Sequence, residues 1–370
     1  MTTAAAADGP LVELRAVSLA YGRGEGATLA LADATISIRK GEFIAVVGPS
    51  GCGKSTLMKL VTGLLPATSG EVVVHGEKVV RPIKGVGMAF QNPTLMPWRT
   101  TLDNVLLPLE VVEPHKRQFR ARKAEYAEKA RALLASVGLG GFADKYPWQL
   151  SGGMQQRSNL CRALVHEPEI MMLDEPFGAL DRKLREAMQQ ELRELVRRLG
   201  ATAIFVTHDQ EEAMILSDVV AVMNAGRIEQ VDDPAGVFER PRTRFVADFM
   251  GMGNVLAVEA GASGSLRHGG IELRAESTAP APPRHVAIRA ERVALAPATG
   301  APSAANTAEG TLLDAVYHGS LTTGRVRLDA APGTTMLVRQ ASAAQDGAGW
   351  KAGARVRLSW AASAVRMLED

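Results

Sequence analysis

The amino-acid sequence predicts an α/β domain followed by a smaller all-β domain. From Leu11 to about Ala247, short apolar runs alternate with helical patterns, and this alternation is typical of α/β architecture. After Gly251 the helical periodicity disappears, and short β-like runs appear among more frequent alanine, glycine and proline. A length of 370 residues allows two or three domains, each with its own core. We expect a disordered segment over residues 1–10, an α/β domain over 11–250 and a β-rich domain over 251–370.

The apolar runs of the first part are short, as expected for strands that are buried on both faces of a largely parallel sheet. The clearest helical pattern ends at Gly200, which follows as a stop. In that helix the apolar residues recur at three- and four-residue steps, at Leu184, Met188, Leu192, Leu195 and Leu199. The predicted strands are Phe43–Val47, Val72–Val74, Ile170–Leu173, Ala203–Val206 and Val219–Met223.

In the second part, residues 251–370, the β-like runs predict a separate all-β domain of barrel type. The stretch 296–310 consists mostly of small residues and is expected to be a surface linker. The predicted strands are Asn254–Val258, His285–Ile288, Thr311–Val316, Arg325–Leu328, Met336–Val338 and Arg355–Leu358.

Composition limits the possible partners. Apolar residues make up 46% of the chain and charged residues 22%, and the net charge of +2 gives no indication of nucleic-acid binding. Two cysteines, Cys52 and Cys161, are too few for a disulfide framework and indicate a reducing compartment. We expect no signal peptide, and no run approaches the ~18 apolar residues of a membrane span. If the protein acts at a membrane, another subunit is expected to span it.

A glycine-rich segment carries the strongest chemical signal. It follows the strand Phe43–Val47 and opens the helical stretch Lys54–Leu64. In that context, backbone N–H groups surround a β-phosphate, and the helix N-terminus adds its positive dipole end. Lys54 would reach the β- and γ-phosphates, and the Ser55 hydroxyl would hold Mg²⁺. The sequence therefore predicts the loop of a P-loop NTPase rather than a chance glycine-rich loop, with nucleotide bound by Gly48, Pro49, Ser50, Gly51, Cys52, Gly53, Lys54, Ser55 and Thr56.

Two acidic residues follow the strand Ile170–Leu173. Asp174 is placed to bind the Mg²⁺ shell, directly or through water. Glu175 is placed to orient and deprotonate an attacking water. The alternative is a surface acidic pair at a strand end, which the neighbouring P-loop motif makes less favourable.

A second anion-binding pattern precedes the helical stretch Met154–Leu164. The hydroxyl of Ser151 and the backbone amides of Gly152 and Gly153 stand at a helix start, where anions bind. Because the chain already has one phosphate loop, this second loop is expected to serve a nucleotide held by a partner molecule. The alternative is an N-cap serine followed by two glycines.

The order of these motifs resembles the ATP-binding cassette (ABC) family over roughly residues 11–247. The resemblance implies that Tyr21 stacks on adenine and that Gln91 contacts Mg²⁺ and faces a membrane subunit. It implies that Asp181 contacts a second subunit and that His208 contacts the γ-phosphate and holds Glu175. Ser151, Gly152, Gly153 and Met154 match the family signature that contacts the ATP of the partner subunit.

Two positions depart from the commonest family pattern. Met154 stands where many members have glutamine, and Cys52 within the P-loop is expected to serve packing. The later segments His285–Arg292, Val316–Ser320 and Arg355–Trp360 resemble the C-terminal OB-like TOBE domain of maltose, polyamine and iron importers.

These resemblances predict the ATP-hydrolysing subunit of a bacterial ABC importer. The implied ligands are ATP and Mg²⁺, with Lys54, Glu175 and His208 as catalytic residues and Ser55, Gln91 and Asp174 around the metal. The implied partners are a second copy of the chain, two transmembrane permease subunits and, indirectly, a solute-binding protein, but no nucleic acid. The expected location is the cytoplasmic face of the inner membrane, peripherally bound.

The transported substrate stays open. The C-terminal domain, a regulatory domain in this interpretation, favours polyamine-type solutes. The cassette, with Met154 and the apolar loop Leu95–Trp98, favours nitrate, sulfonate or taurine. That loop is expected to dock on a membrane subunit, the alternative being that it folds back into the core. The alternatives to an importer subunit are a soluble non-transport ABC ATPase and a regulatory module without ATPase activity.

Overall fold

The structure is a computed structural model, and it describes residues 9–22, 24–178, 180–261, 265–276, 283–298, 304–342 and 350–369. The predicted disordered segment 1–10 therefore lies almost wholly outside the described residues. The chain forms two compact units, Met1–Pro234 and Ala235–Asp370.

The first unit is an α/β domain, as the sequence predicts. Its strands are β1 (Val12–Tyr21), β2 (Thr28–Ile38), β3 (Phe43–Val47), β4 (Ser69–Val74), β5 (Glu77–Lys78), β6 (Val86–Ala89), β7 (Ile170–Asp174), β8 (Thr202–Thr207), β9 (Val219–Asn224) and β10 (Arg227–Asp232). Its α-helices are α1 (Lys54–Val61), α2 (Thr101–Val111), α3 (His115–Gln118), α4 (Lys123–Ser136), α5 (Gly152–Leu164), α6 (Arg182–Leu199) and α7 (Gln210–Leu216).

A sheet in the order β10-β9-β3-β8-β7-β6 forms the centre of this unit. The pairs of β3 with β8 and β9, β7 with β8, and β6 with β7 are parallel, and β10 is antiparallel to β9. Every residue of β3 and of β8 is buried, which explains their continuous apolar sequences. Because parallel strands end at the same edge, residues that follow β3, β7 and β8 are brought together.

The run Val72–Val74 belongs to a different sheet. It is the end of β4, which pairs antiparallel with β1 in the order β2-β1-β4-β5. Its assignment to the parallel sheet was therefore wrong. A short run of buried valines does not show which neighbour it pairs with, since either sheet buries it equally well.

Two helix boundaries also differ from the sequence prediction. Helix α1 ends at Val61, three residues earlier than expected, where Gly63 takes a positive φ of 71°. Helix α5 begins at Gly152 rather than Met154, because Ser151 caps it and its side chain accepts the Met154 N–H. The two glycines thus form the first turn of the helix.

The second unit is β-rich, as predicted. It begins with α8 (Pro234–Glu239) at the boundary and α9 (Arg244–Phe249). Its strands are β11 (Gly253–Ala257), β12 (Glu259–Ala260), β13 (Leu266–His268), β14 (Ile271–Leu273), β15 (His285–Arg289), β16 (Ala294–Pro297), β17 (Asn306–Tyr317), β18 (Leu321–Leu328), β19 (Thr335–Ala341), β20 (Arg355–Trp360) and β21 (Val365–Met367).

Among its described residues, the strands form antiparallel sheets in the orders β11-β15-β21, β12-β13-β14 and β16-β20-β17-β18-β19. The predicted linker 296–310 is partly strand, since β16 extends to Pro297 and β17 starts at Asn306. Burial of Asn306 and Ala308 explains why small residues there still form a strand.

In the structure the boundary between the two units lies after Pro234. The sequence predicts this boundary between residues 250 and 251. Arg289 stacks on Phe238, 3.3 Å from the ring centroid, and Arg366 Nε donates to the Glu239 carbonyl. These contacts hold the segment after Pro234 on the second unit. Among the described residues, no helix is long and apolar enough to cross a membrane.

Candidate functional site

The glycine-rich loop connects β3 to α1 and holds a buried ammonium group. Lys54 is 7% exposed. Its Nζ donates to the carbonyl oxygens of Gly48 at 2.8 Å and Pro49 at 2.9 Å, and a contact of 4.0 Å reaches Cys52 Sγ. The positive charge therefore stands at the centre of the loop, where a phosphate group would enter.

The loop can take this path only with glycine at two positions. A Cβ on Gly48 would lie 2.2 Å from the Met223 carbonyl oxygen. Gly53 has φ of 106°, and a Cβ there would lie 2.5 Å from the Ala30 oxygen. Cys52 is buried, and burial raises the pKa of its thiol, although the neighbouring Lys54 opposes the shift.

Glu175 follows β7 and is held from both sides. Gln91 Nε2 donates to Glu175 Oε2 at 2.9 Å, and His208 Nδ1 lies 2.9 Å from Oε1. The Glu175 backbone has a positive φ of 43°, and its N–H donates to the Val206 carbonyl. A non-glycine residue in this left-handed region is strained, and such strain is often found at functional sites.

Asp174 is the last residue of β7 and is half-buried. Burial raises the pKa of its carboxyl, and the neighbouring Glu175 adds to this shift, whereas Lys54 opposes it. Tyr21 ends β1 and is 43% exposed, with its hydroxyl 3.3 Å from Thr56 Oγ1.

These side chains meet in one open cleft of about 580 Å³. The cleft brings together most of the residues predicted from the sequence, namely Tyr21, Ser50, Gly51, Gly53, Lys54, Ser55, Thr56, Gln91, Asp174, Glu175 and His208, together with Ala30 and Val206. Gly48, Pro49 and Cys52 are not among the lining residues. The carbonyls of Gly48 and Pro49 instead accept hydrogen bonds from Lys54, and Cys52 is buried.

The signature residues stand apart from this cleft. The described lining includes no residue of 151–154 and not Asp181. Ser151 Oγ accepts the Met154 N–H at 3.3 Å, and Asp181 Oδ1 accepts the Leu184 N–H at 3.0 Å. Both residues are therefore helix N-caps within their own chain, and both are exposed.

Helix α5 also holds the loop that carries Gln91, a connection that the sequence did not reveal. Gln156 Nε2 and Asn159 Nδ2 both donate to the Phe90 carbonyl, at 3.1 and 3.0 Å. Arg162 donates to the Thr94 carbonyl at 2.6 Å. The helix that begins at the signature therefore fixes the backbone on both sides of Gln91.

Asn104 holds the next part of this loop, residues 96–100, by hydrogen bonds. It is fully buried in α2. Its Nδ2 donates to the carbonyls of Met96, Arg99 and Thr100, and its Oδ1 accepts the Met96 N–H at 2.7 Å. The sequence signal that could have identified this role is an asparagine at the start of a helical pattern, shortly after a proline-containing loop.

Comparison with known proteins agrees with this geometry. Residues 31–178 match the family model for ABC transporters, and residues 286–368 match the TOBE domain. The sulfate/thiosulfate import ATP-binding protein CysA 2 of Chromobacterium violaceum is 43% identical over 312 residues, which are 83% of this chain and 82% of that protein. The spermidine/putrescine import ATP-binding protein PotA of Mesorhizobium japonicum is 38% identical over 370 residues, covering 97% and 98%.

A solved structure supports the fold of the first unit. The dimeric structure of MJ0796, a bacterial ABC transporter cassette, has a TM-score of 0.53 and 32% sequence identity. It covers 60% of this chain and 98% of the cassette. With nearly full-length relatives well above 30% identity, the chain belongs to the ABC transporter family, as an ATP-binding subunit of importer type with a C-terminal TOBE domain.

Proposed function

We propose that this chain binds ATP with Mg²⁺ in the cleft and hydrolyses it with Glu175 as the general base. The observation that carries the proposal is the position of Glu175, whose two carboxylate oxygens are held by Gln91 and His208. A carboxylate fixed in this way is ready to accept a proton from a water that attacks the γ-phosphate.

The residues present fit the proposed ligands. The buried Lys54 ammonium supplies positive charge for the phosphates, and Tyr21 supplies an exposed ring for adenine stacking. Ser55, Gln91 and Asp174 would hold Mg²⁺, which supplies charge neutralisation on the phosphates when it is bound. Among the described residues no group of three or more acidic, histidine or cysteine side chains could hold a metal ion by itself.

His208 acts in this proposal by positioning Glu175 and contacting the γ-phosphate. Its own place is fixed by the start of α7, where Asp209 accepts the N–H groups of Glu211 and Glu212. The buried Glu212 carboxylate accepts from Thr207 Oγ1 at 2.7 Å, immediately before His208. The side chains of Thr207 and Asp209, on both sides of the histidine, are thus hydrogen-bonded to the start of α7.

A second copy of the chain would complete each nucleotide site. Ser151 and Gly152 are exposed at the start of α5 and do not line the cleft of their own chain. A helix start with a hydroxyl and free amides suits a phosphate from another molecule. Asp181 would contact the partner copy. The dimeric cassette structures similar to the first unit support this arrangement.

The proposed membrane partners are two transmembrane permease subunits, reached through the loop Leu95–Trp98. Trp98 is 72% exposed, which argues against the alternative that it belongs to the core. Exposed tryptophans are frequent anchors of protein interfaces. The chain would then be bound peripherally at the cytoplasmic face of the inner membrane, and a solute-binding protein would act indirectly through the permease.

The proposed cargo is a small charged solute of the sulfate or polyamine type, because the relatives are named for sulfate/thiosulfate and spermidine/putrescine import. The polyamine expectation thus has the support of a relative. Sulfate is not among the solutes that the sequence predicts, which are polyamines and nitrate, sulfonate or taurine.

The experiment that tests this function is uptake of labelled sulfate, spermidine and taurine by cells that lack this chain and are then supplied with it. Restored, ATP-dependent uptake of one solute by the wild-type chain, but not by Lys54→Ala, supports the proposal. A chain that hydrolyses ATP yet stays away from the membrane and restores no uptake would favour the soluble ATPase alternative.

A further inference from the structure

Two arginines of α6 hold the short helix α7, which begins two residues after His208. Arg185 faces the start of α7. Arg193 faces its end, where Nη1 donates to the Ile215 carbonyl at 2.7 Å. The two arginine side chains are similarly exposed, at 32% and 35%. Helix α6 thus contacts both ends of α7, but Arg185 does so beside His208.

The Arg185 guanidinium lies among three acceptor oxygens. Its Nη2 donates to the Leu180 carbonyl at 3.2 Å. Its Nη1 lies 3.6 Å from Asp209 Oδ2, and its Nε lies 3.9 Å from Glu212 Oε1. A guanidinium carries five N–H groups in a fixed plane, so it can hold several acceptors at once. Arg185 therefore links the residue before Asp181 to both carboxylates at the start of α7.

The Glu212 carboxylate depends on nearby positive charge because it is buried. Burial raises the pKa of Glu212, and the Thr207 hydroxyl and Arg185 oppose this shift. Removal of one partner from a buried ion pair leaves the other charge uncompensated, and the surrounding structure becomes unfavourable. Loss of Arg185 would therefore disturb the segment 207–212, which includes His208.

The Leu180 carbonyl is a fixed point for this contact. Leu180 is buried, and its N–H donates to the Phe177 carbonyl at 3.1 Å. Its side chain packs against the signature, since a Cβ on Gly153 would lie 2.9 Å from Leu180 Cδ2. Arg185 thus ties the start of α7 to a segment that is itself packed on α5.

The His208 ring needs such support because packing contributes little to its position. The side chain is 61% exposed, yet its Nδ1 lies 2.9 Å from Glu175 Oε1. We propose that Arg185 is a positioning residue for His208: by holding Asp209 and Glu212 at the start of α7, it keeps the imidazole on the Glu175 carboxylate during hydrolysis. This inference rests on the proposed ATPase activity of the cleft.

The first test measures ATP hydrolysis by the full chain with its membrane partners. We expect Arg185→Gln to lower kcat about tenfold, because small misplacements of reacting groups slow the chemical step. KM for ATP should stay within about twofold of wild type, since the phosphate loop is untouched. Arg193→Gln is the matched control: it loses an arginine–carbonyl contact to the other end of α7 and should keep the wild-type kcat.

Equal kcat in Arg185→Gln and wild type, or an equal fall in both variants, would overturn the inference. A wild-type chain that does not hydrolyse ATP would instead overturn the proposed function, and the inference with it.

The second test asks which chain of a dimer needs the arginine. When Lys54→Ala and Ser151→Arg chains are mixed, each mixed dimer keeps one complete site, with His208 from the Ser151→Arg chain. Arg185→Gln added to that chain should slow hydrolysis about tenfold, whereas the same change in the Lys54→Ala chain should leave the rate unchanged. A change that only impaired folding or pairing would act equally in either chain. Equal slowing in the two placements would therefore overturn the proposal.

Discussion

At the scale of single residues, the proposed chemistry depends on Glu175. Glu175→Gln keeps the shape of the side chain and the contact to Gln91 but removes the proton acceptor. We expect turnover with the membrane partners to fall by ~10²-fold or more, because positioned general bases contribute on that scale. ATP affinity should be retained, since Lys54 and the loop are untouched, and an ATP-bound dimer should persist. Wild-type turnover in this variant, measured by phosphate release, would exclude Glu175 as the base.

Asp174 gives a prediction about stability and pH. Its pKa is raised by burial and by Glu175, so the ionised form is less favourable in the folded protein than in the unfolded chain. The resulting contribution to stability is present at low pH and is lost as the pH rises through the raised pKa. Asp174→Asn should therefore raise the melting temperature of the nucleotide-free protein near pH ~7, and the gain should shrink toward pH ~4.

Asp181→Asn is the matched control for that measurement, because asparagine keeps the N-cap acceptor at an exposed position. It should change the melting temperature little at either pH. A gain for Asp174→Asn that does not depend on pH would contradict the electrostatic explanation. The same variant should hydrolyse ATP poorly, so that function and stability change in opposite directions.

At the scale of structural elements, the loop between β6 and α2 is held by the buried Asn104 of α2 and carries the exposed Trp98. Asn104→Ala removes the Nδ2 contacts to three carbonyls, which share two N–H groups, and the hydrogen bond that Oδ1 accepts from the Met96 N–H. A typical hydrogen bond contributes about 1 kcal/mol net. We expect a loss of about 2–4 kcal/mol in the free energy of unfolding. Chemical denaturation of the purified chain measures this loss.

Trp98→Ala at the tip of the same loop should behave differently. Because Trp98 is 72% exposed, its loss should leave folding stability and ATP affinity nearly unchanged. Pull-down of the permease subunits should weaken, since a large aromatic anchor is removed. Normal assembly of the Trp98→Ala variant would show that the tip does not contact the membrane partner.

At the scale of the whole molecule, the proposed head-to-tail pairing predicts complementation between inactive chains. Lys54→Ala and Ser151→Arg each inactivate both sites of a dimer of identical chains. In a mixed dimer, the intact loop of one chain meets the intact signature of the other. Random mixing should therefore restore about a quarter of the wild-type ATPase sites.

The control for this experiment is a mixture of Lys54→Ala with Glu175→Gln. Both changes lie in the same half of the composite site, so no mixed dimer regains a complete one. Equal activity of the two mixtures would contradict the head-to-tail arrangement.

The fold class and most residues of the nucleotide cleft can be predicted from the sequence. The loop Gly48–Thr56 directly follows β3, and His208 directly follows β8. Asp174 is the last residue of β7, and Glu175 is the residue after it. Parallel strands that are neighbours in one sheet bring such residues to the same edge, so the local pattern was sufficient. The family resemblance drawn from these motifs was confirmed by the matching family models and relatives.

The contacts between residues far apart in the chain could be seen only in the folded structure. It placed Val72–Val74 in the antiparallel sheet and joined Gln156 and Asn159 to the Phe90 carbonyl. Hydrophobic periodicity reports which face of an element is buried, but it does not report the neighbour on that face. Pairing between segments far apart in the chain depends on packing of the complete core, and for that reason these features were absent from the sequence pattern.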